Sequence, residues 1–423
     1  MASIDPARRA AAALLVGVLE ERLTLAEQAG ELAALPPQDR ARAQRLALAT
    51  LRNLPSADAM LKPHLRKKPP VDLLAVLRLG VVEICALQAA PHGVVDALVT
   101  LTHSGGRRAE GFAGLINAVL RKVAADAARW ARLDPPALPG WLRGRLMSAY
   151  GKVAVMKMEA AHLAGAPVDL SVKSDAAAWA EKLGAELLPT GSLRLAQAGQ
   201  ITDLPGYAEG DWWVQDAAAA LPAKLLAAQP GETVLDLCAA PGGKTLQLAA
   251  MGADVTALDI SAPRLDRLQE NLARCQVTAK TVVADALDWN PKAPFDAILL
   301  DAPCSATGTI RRHPDLPFVK DAKGIKDLVA LQTALIDRAL GWLKPGGRLV
   351  YATCSLLPEE GEAQVAAALQ RHPNLRIAPP DIAGLEPGWV TDAGALRLRP
   401  DFWHETGGLD GFFMARLQRL PMA

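Results

Sequence analysis

Two cysteines and a row of aspartates are the residues of this chain best suited to chemistry. Cys304 lies in Phe295-Asp-Ala-Ile-Leu-Leu-Asp-Ala-Pro-Cys-Ser305, and Cys354 in Gly347-Arg-Leu-Val-Tyr-Ala-Thr-Cys-Ser355. Each follows an apolar run of strand length. The thiolate is the nucleophilic form of cysteine, so two thiols at strand ends suggest covalent chemistry. Ahead of both comes Val234-Leu-Asp-Leu-Cys-Ala-Ala-Pro-Gly-Gly-Lys-Thr245, a strand running into a turn. Gly242 and Gly243 let the backbone approach a ligand closely. Asp236, Asp259 and Asp285 end three successive expected strands. A carboxylate at Asp259 can accept both hydroxyls of a ribose, and Asp285 can accept from an adenine amino group.

Two other nucleotide readings fail on spacing. A P-loop needs glycine five residues before its Gly-Lys pair, and Cys238 stands there. A dinucleotide fold would carry Gly-x-Gly-x-x-Gly after the first strand. S-adenosylmethionine remains. Any one of these aspartates could be a turn or cap residue, and a lone strand-end cysteine is usually a small hydrophobe; the case rests on their recurrence along one edge. The chemistry that uses all of them is methylation at carbon 5 of a pyrimidine. A thiolate adding to carbon 6 makes carbon 5 nucleophilic. An acid at ring nitrogen 3 stabilises the charge that forms, and a base must remove the carbon 5 proton before the thiolate can leave. The target base must be unstacked to reach such groups.

These residues need a scaffold that brings strand ends together. From about Thr233, candidate strands at Thr233–Leu237, Asp254–Leu258, Thr281–Ala284, Ala297–Leu300 and Arg348–Ala352 alternate with helical segments, with a late strand at Gly411–Leu417. Alternation at this spacing predicts an α/β, Rossmann-like, mostly parallel doubly wound sheet, whose ligands bind beyond the carboxyl ends of the strands. Residues 1–130 read instead as roughly six consecutive helices, with apolar residues at three- and four-residue spacing. Asp5-Pro6 is a helix start, which makes the apolar run after Arg8-Arg9 a first helix rather than a signal peptide. Residues 131–166 read as a proline-rich linker with short helices, and 167–230 as a small α+β insert. The methyltransferase-like domain occupies 231–423.

Net charge is +1, but 1–150 hold 20 Lys/Arg against 13 Asp/Glu and the remainder 26 against 32. A basic helical part joined to an acidic catalytic part is compatible with docking on nucleic acid. Arg66-Lys67-Lys68, Arg107-Arg108 and Arg311-Arg312 are candidate phosphate contacts, or else solvated faces. Five cysteines without a Cys-x-x-Cys pair argue against a disulfide framework and a standard zinc site. The expectation is a cytoplasmic monomer with no metal. No apolar stretch reaches the about 18 residues of a membrane span.

The segment from Gln215 to Leu417 resembles the RNA 5-methylcytosine methyltransferases. The matching motifs are Leu235–Thr245, Leu300-Asp-Ala-Pro-Cys-Ser305, Tyr351-Ala-Thr-Cys-Ser355 with Pro358-Glu-Glu360, and Asp410-Gly-Phe-Phe413. The N-terminal part is similar to the NusB-like RNA-binding fold over Leu77–Gly80, Pro91–Asp96 and Leu115–Arg121. Together they resemble the bacterial RsmB (Sun/Fmu) family, which methylates cytosine in 16S ribosomal RNA. The resemblance implies Cys354 as the attacking thiol, Cys304 as the thiol needed for release and Asp301 as the acid at the base, with Lys244 reaching toward it. It implies that Cys238, Ala239, Ala240, Pro241, Gly242, Gly243 and Lys244 surround the cofactor, with Asp259, Arg264, Asp285 and Asp301 beside it. Gln215-Asp216 matches an entry segment of structural role. The implied partner is 16S rRNA, naked or in a small-subunit assembly intermediate. Gly361 stands where the family usually has Asn, which leaves open any contact from that position. The opposing reading is an RNA-binding assembly factor with an idle methyltransferase site.

Overall fold

The computed structural model describes residues 4–196 and 199–421. The chain divides into two units, Met1–Ala164 with Ile310–Asp321, and Gly165–Thr309 with Ala322–Ala423.

The first unit is helical: α1 (Pro6–Val16), α2 (Pro37–Arg52), α3 (Leu54–Leu61), α4 (Val71–Cys85), α5 (Pro91–His103), α6 (Arg107–Glu110), α7 (Ala113–Ala125) and α8 (Gly140–Ala164), the last broken at Gly151, where φ is 78°. Asp5 caps α1 by accepting from the Arg8 N–H at 3.0 Å, and Pro6 takes the first helical position, where its missing N–H costs nothing. Helix α4 is apolar nearly all round because it is central, burying Leu77, Leu79 and Val81 against Leu15, Leu98, Ile116 and Leu120. The expected helical reading holds here.

Nothing in the residue pattern of Ile310–Asp321 marks it as part of this unit. It joins through main-chain and buried contacts. Arg52 Nη2 donates to the Arg311 carbonyl at 3.0 Å, the Leu25 N–H donates to Asp315 Oδ2 at 2.9 Å, and Trp141 Nε1 donates to the Pro317 carbonyl at 3.1 Å. Arg311 is fully buried, so its guanidinium does not serve as an exposed phosphate contact. Arg66, Lys67, Lys68, Arg107 and Arg108 are exposed.

The second unit opens with a small antiparallel sheet of β1 (Val168–Val172), β2 (Glu186–Leu187), β3 (Leu193–Leu195) and β4 (Trp212–Val214), in the order β2-β3-β1-β4, with α9 (Ala176–Leu183) beside β2 and β3. Gln215, directly after β4, ties this sheet to the rest of the unit: its side chain accepts from Trp213 Nε1 and donates to Gln247 Oε1, both at 2.8 Å.

After α10 (Leu221–Leu226) comes the large sheet. Its strands are β5 (Thr233–Leu237), β6 (Asp254–Asp259), β7 (Lys280–Val283), β8 (Phe295–Asp301), β9 (Leu343–Thr353), β10 (Leu375–Ala378), β11 (Leu396–Leu398) and β12 (Phe412–Arg419). The order is β10-β12-β9-β8-β5-β6-β7, with β11 also paired to β12; the five strands from β9 to β7 are mutually parallel and β12 runs antiparallel. Helices α11 (Gly243–Ala250), α12 (Ala262–Arg274), α14 (Gly324–Gly341) and α15 (Glu362–Arg371) belong to this unit, while α13 (Leu316–Val319) lies in the first. Side chains alternate across a strand with period two. Accordingly Ile298 and Leu300 enter one core with Leu335 and Ile336 of α14, while Ala297 and Leu299 enter the other with Leu221 and Leu225 of α10. Apolar residues on both faces are what a parallel sheet between helices requires. No described helix is long and apolar enough to cross a membrane.

Candidate active site

The carboxyl ends of β5, β6, β7 and β8 place the residues expected beside a cofactor. The β5–α11 turn holds Cys238 at φ 60° and Gly242 at φ 106°. A Cβ on Gly242 would lie 2.0 Å from Leu268 Cδ1, so both conformation and space demand glycine. The carboxylate of Asp259, at the end of β6, is buried. Its Oδ2 accepts from the Ala240 N–H at 3.1 Å and its Oδ1 from the Ser261 N–H at 2.9 Å. Arg264 donates to the Ala240 carbonyl and stands 3.7 Å from Asp259. Its visible work is thus to brace the turn. Asp285, two residues past β7, is exposed and accepts from the Leu287 N–H at 2.8 Å.

Asp236 differs from the other two acids. It is one residue short of the end of β5, fully buried, and accepts from Thr245 Oγ1 at 2.6 Å. Burial pushes its carboxyl up to about 7, so it serves the base of the turn rather than its rim. The Cys238 thiol is also pushed well up by burial, with Asp259 adding to the effect; it is a packed, protonated side chain.

Strands β8 and β9 are parallel neighbours with Asp301 opposite Ala352. This register brings the two thiol loops out side by side, and Cys304 Sγ lies 3.4 Å from Cys354 Sγ. The Cys354 carbonyl accepts from the Gly308 N–H at 2.9 Å, a further link between the loops. The hydrogen bond with Cys354, followed by burial, holds the Cys304 thiol well above its ordinary value. Asp301 Oδ2 accepts from Lys244 Nζ at 2.7 Å. Burial opposes a charge on Lys244, but Asp301 outweighs it, and the ammonium is held more firmly than usual; the Cys354 sulfur acts in the same direction. Lys244 also lies 5.5 Å from the centre of the Phe412 ring, a face favourable to a cation.

Below the thiols is a buried polar cluster that sequence reasoning missed. Each thiol is followed by a serine, and both hydroxyls donate to Oε2 of Glu360, Ser355 at 2.6 Å. Oε1 accepts from the Ser305 N–H at 2.9 Å and from Gln332 Nε2 at 3.0 Å. The one signal for it in the sequence is the Pro358-Glu-Glu360 motif after the second cysteine. The Gly361 question also resolves here. A Cβ at 361 would meet Arg397 Nη2 at 2.5 Å and Phe413 Cγ at 2.7 Å. Arg397 occupies that space, donating to the Ser355 carbonyl and making a two-pronged ion pair with Glu362. All five cysteines are free, and no group of side chains suited to a metal ion exists among the described residues.

Comparison with known proteins assigns the reaction class. Residues 223–418 match the family described as 16S rRNA methyltransferase RsmB/F, and residues 5–125 match the NusB family. The chain is 37% identical to ribosomal RNA small subunit methyltransferase B of Xanthomonas campestris pv. campestris, over 97% of this chain and 96% of the relative. It is 36% identical to the protein of the same name from Pseudomonas putida, over 98% of each. One solved structure aligns over 99% of both chains with a TM-score of 0.74 at 24% identity, a likeness of fold. A methyltransferase homolog from Pyrococcus horikoshii aligns over 66% of this chain and 94% of its own, with a TM-score of 0.57 and 28% identity. The chain belongs to the RsmB/F family of 16S rRNA methyltransferases, with a NusB-family domain preceding the catalytic one.

Proposed function

We propose that this rRNA methyltransferase acts at carbon 5 of a cytosine in 16S rRNA, through a covalent bond between Cys354 and the base. The observation that carries the reading is the pair of sulfurs 3.4 Å apart on adjacent parallel strands, beside Asp301 and Lys244. One reactive thiol would suit many transfers. Two in contact suit a reaction that must both form and break a sulfur–carbon bond.

Membership of this methyltransferase family implies S-adenosylmethionine, which supplies an electrophilic methyl group. The residues of the turn fit such a ligand. Each oxygen of Asp259 accepts one backbone N–H, and a carboxylate oxygen has a second lone pair with which to accept a ribose hydroxyl. Asp285 is exposed for an amino group, and Gly242 and Gly243 let the turn pack closely against Leu268 and Gln215. Cys238, Ala239, Ala240, Pro241 and Lys244 complete it, with Arg264 bracing it from outside and Asp301 at its far side.

The protein's own groups then divide the work. The Cys354 thiolate adds to carbon 6, and the electron pair of the 5,6 double bond shifts into the ring. The Asp301–Lys244 pair supplies the proton that neutralises charge at ring nitrogen 3. As the methyl group is transferred, ring nitrogen 3 gives its proton back to the Asp301–Lys244 pair, and the carbon 5 proton then passes to a base, for which Cys304 is positioned. The returning electron pair expels Cys354. A base lying within a duplex must be flipped out to enter. The basic helical domain and the β1–β4 subdomain are the parts that would hold RNA, the exposed Arg66-Lys67-Lys68 and Arg107-Arg108 contacting phosphate.

The test is methylation of 16S rRNA with a labelled methyl donor, followed by bisulfite mapping. One protected cytosine, lost in the Cys354→Ala variant, is the expected result. Label on a nitrogen, or on a base other than cytosine, would overturn the reading.

A further inference from the structure

The polar cluster beneath the thiols is costly to build. Glu360 is fully buried, and a buried carboxylate is tolerated only where donors replace its water. Four do so: the two serine hydroxyls, the Ser305 N–H and the Gln332 amide. All four are neutral groups. The main-chain carbonyl of Glu360 is occupied as well, accepting from Tyr351 Oη at 2.7 Å and Thr353 Oγ1 at 3.2 Å.

The donors come from particular places. Ser305 immediately follows Cys304 and Ser355 immediately follows Cys354. Their hydroxyls are 3.1 Å apart and share one carboxylate oxygen. Gln332 of α14 adds a third strap, donating both to Glu360 and to the Pro303 carbonyl, the residue before Cys304, at 2.9 Å. The two thiol loops are separated by 50 residues, and this cluster spans them.

We propose that Glu360 is a positioning residue for methyl transfer: by accepting from both serines, its carboxylate locks the two thiol loops together and fixes the spacing of Cys304 and Cys354. The proposal rests on the two-thiol reading above. Addition to carbon 6 and proton removal at the neighbouring carbon 5 require two sulfurs at a set separation, and misplacement by about 1 Å can cost on the order of a hundredfold in rate.

The test compares Glu360→Gln with the parent, in the full-length enzyme. The glutamine keeps one oxygen for the Ser305 N–H and Gln332, but its amide nitrogen cannot accept from the serines. The expected result is unchanged binding of S-adenosylmethionine by calorimetry and an unchanged KM for RNA, with kcat lower by about tenfold to a hundredfold. Ser355→Ala removes one tether only and serves if the glutamine variant does not fold; it is expected to lower kcat by about fivefold, again without a change in KM. A kcat within twofold of the parent in a variant that still binds cofactor would overturn the proposal. Cys304→Ser, with Glu360 intact, separates the two ideas. If it traps an RNA adduct, and the trapping rate is the same with Glu360→Gln added, the two-thiol reading stands and the role of Glu360 falls. If neither Cys304→Ser nor Cys354→Ser traps an adduct, the two-thiol reading itself fails.

Discussion

The cofactor end and the thiol end of one sheet edge are built in opposite ways. At the cofactor end, carboxylates meet backbone N–H groups: Asp285 holds Leu287, and Asp259 holds nearby Ser261 and, 19 residues away, Ala240. At the thiol end, side chains meet side chains across long stretches of chain, as in Ser305 with Ser355 and Glu360. Backbone donors tolerate changes in neighbouring side chains, and they leave carboxylate lone pairs facing a ligand. A buried side-chain network does the reverse, since each member is satisfied only by the others. On the proposed reading, one end receives a ligand and the other holds two atoms at a fixed distance.

Substitutions that separate the two ends should have unequal effects. The largest is expected for Cys354→Ala, which should lower methyl transfer on the order of 10³-fold or more while calorimetry finds cofactor affinity unchanged. A loss of affinity as large as the loss of rate would mean that the ends are not separate. Asp259→Ala is the converse. Loss of a charge-assisted contact is worth about 1.5–3 kcal/mol, so cofactor should bind about tenfold to a hundredfold more weakly, with kcat at saturation nearly preserved. A collapse of kcat at saturating cofactor would contradict this.

Asp236 lies between the two ends and tests their shared foundation. Its carboxyl titrates at about 7 in the folded protein, raised by burial from an ordinary value of 3.8. Between those values the folded state holds a proton that the unfolded chain releases, so this group's contribution to stability is lost as pH rises from about 4 to about 7. Asp236→Asn cannot titrate. Its stability relative to the parent should therefore improve steadily across that window in denaturant melts. A constant difference would show that Asp236 is not a buried titrating acid.

The same contrast explains what could be read in the sequence. The strand pattern, Asp259 and the β5–α11 turn are visible because they depend on local alternation and on glycine. The pairing of Cys304 with Cys354 is visible once β8 and β9 are taken as neighbours. Glu360 is not, because nothing near it in the sequence shows that Ser305 and Gln332 converge on its carboxylate. Arg397 is harder still, since its only trace is the missing side chain at Gly361. The membership of Ile310–Asp321 in the helical unit has no local signal, because main-chain acceptors such as the Arg311 carbonyl have no sequence signature.

The most direct test of the two-thiol account is to mix Cys304→Ser and Cys354→Ser variants separately with 16S rRNA and S-adenosylmethionine, then look for RNA that stays attached after denaturation. The account predicts an adduct with Cys304→Ser, where Cys354 can attack but release fails, and none with Cys354→Ser. The reverse pattern would exchange the roles of the two sulfurs, and no adduct in either would contradict covalent catalysis.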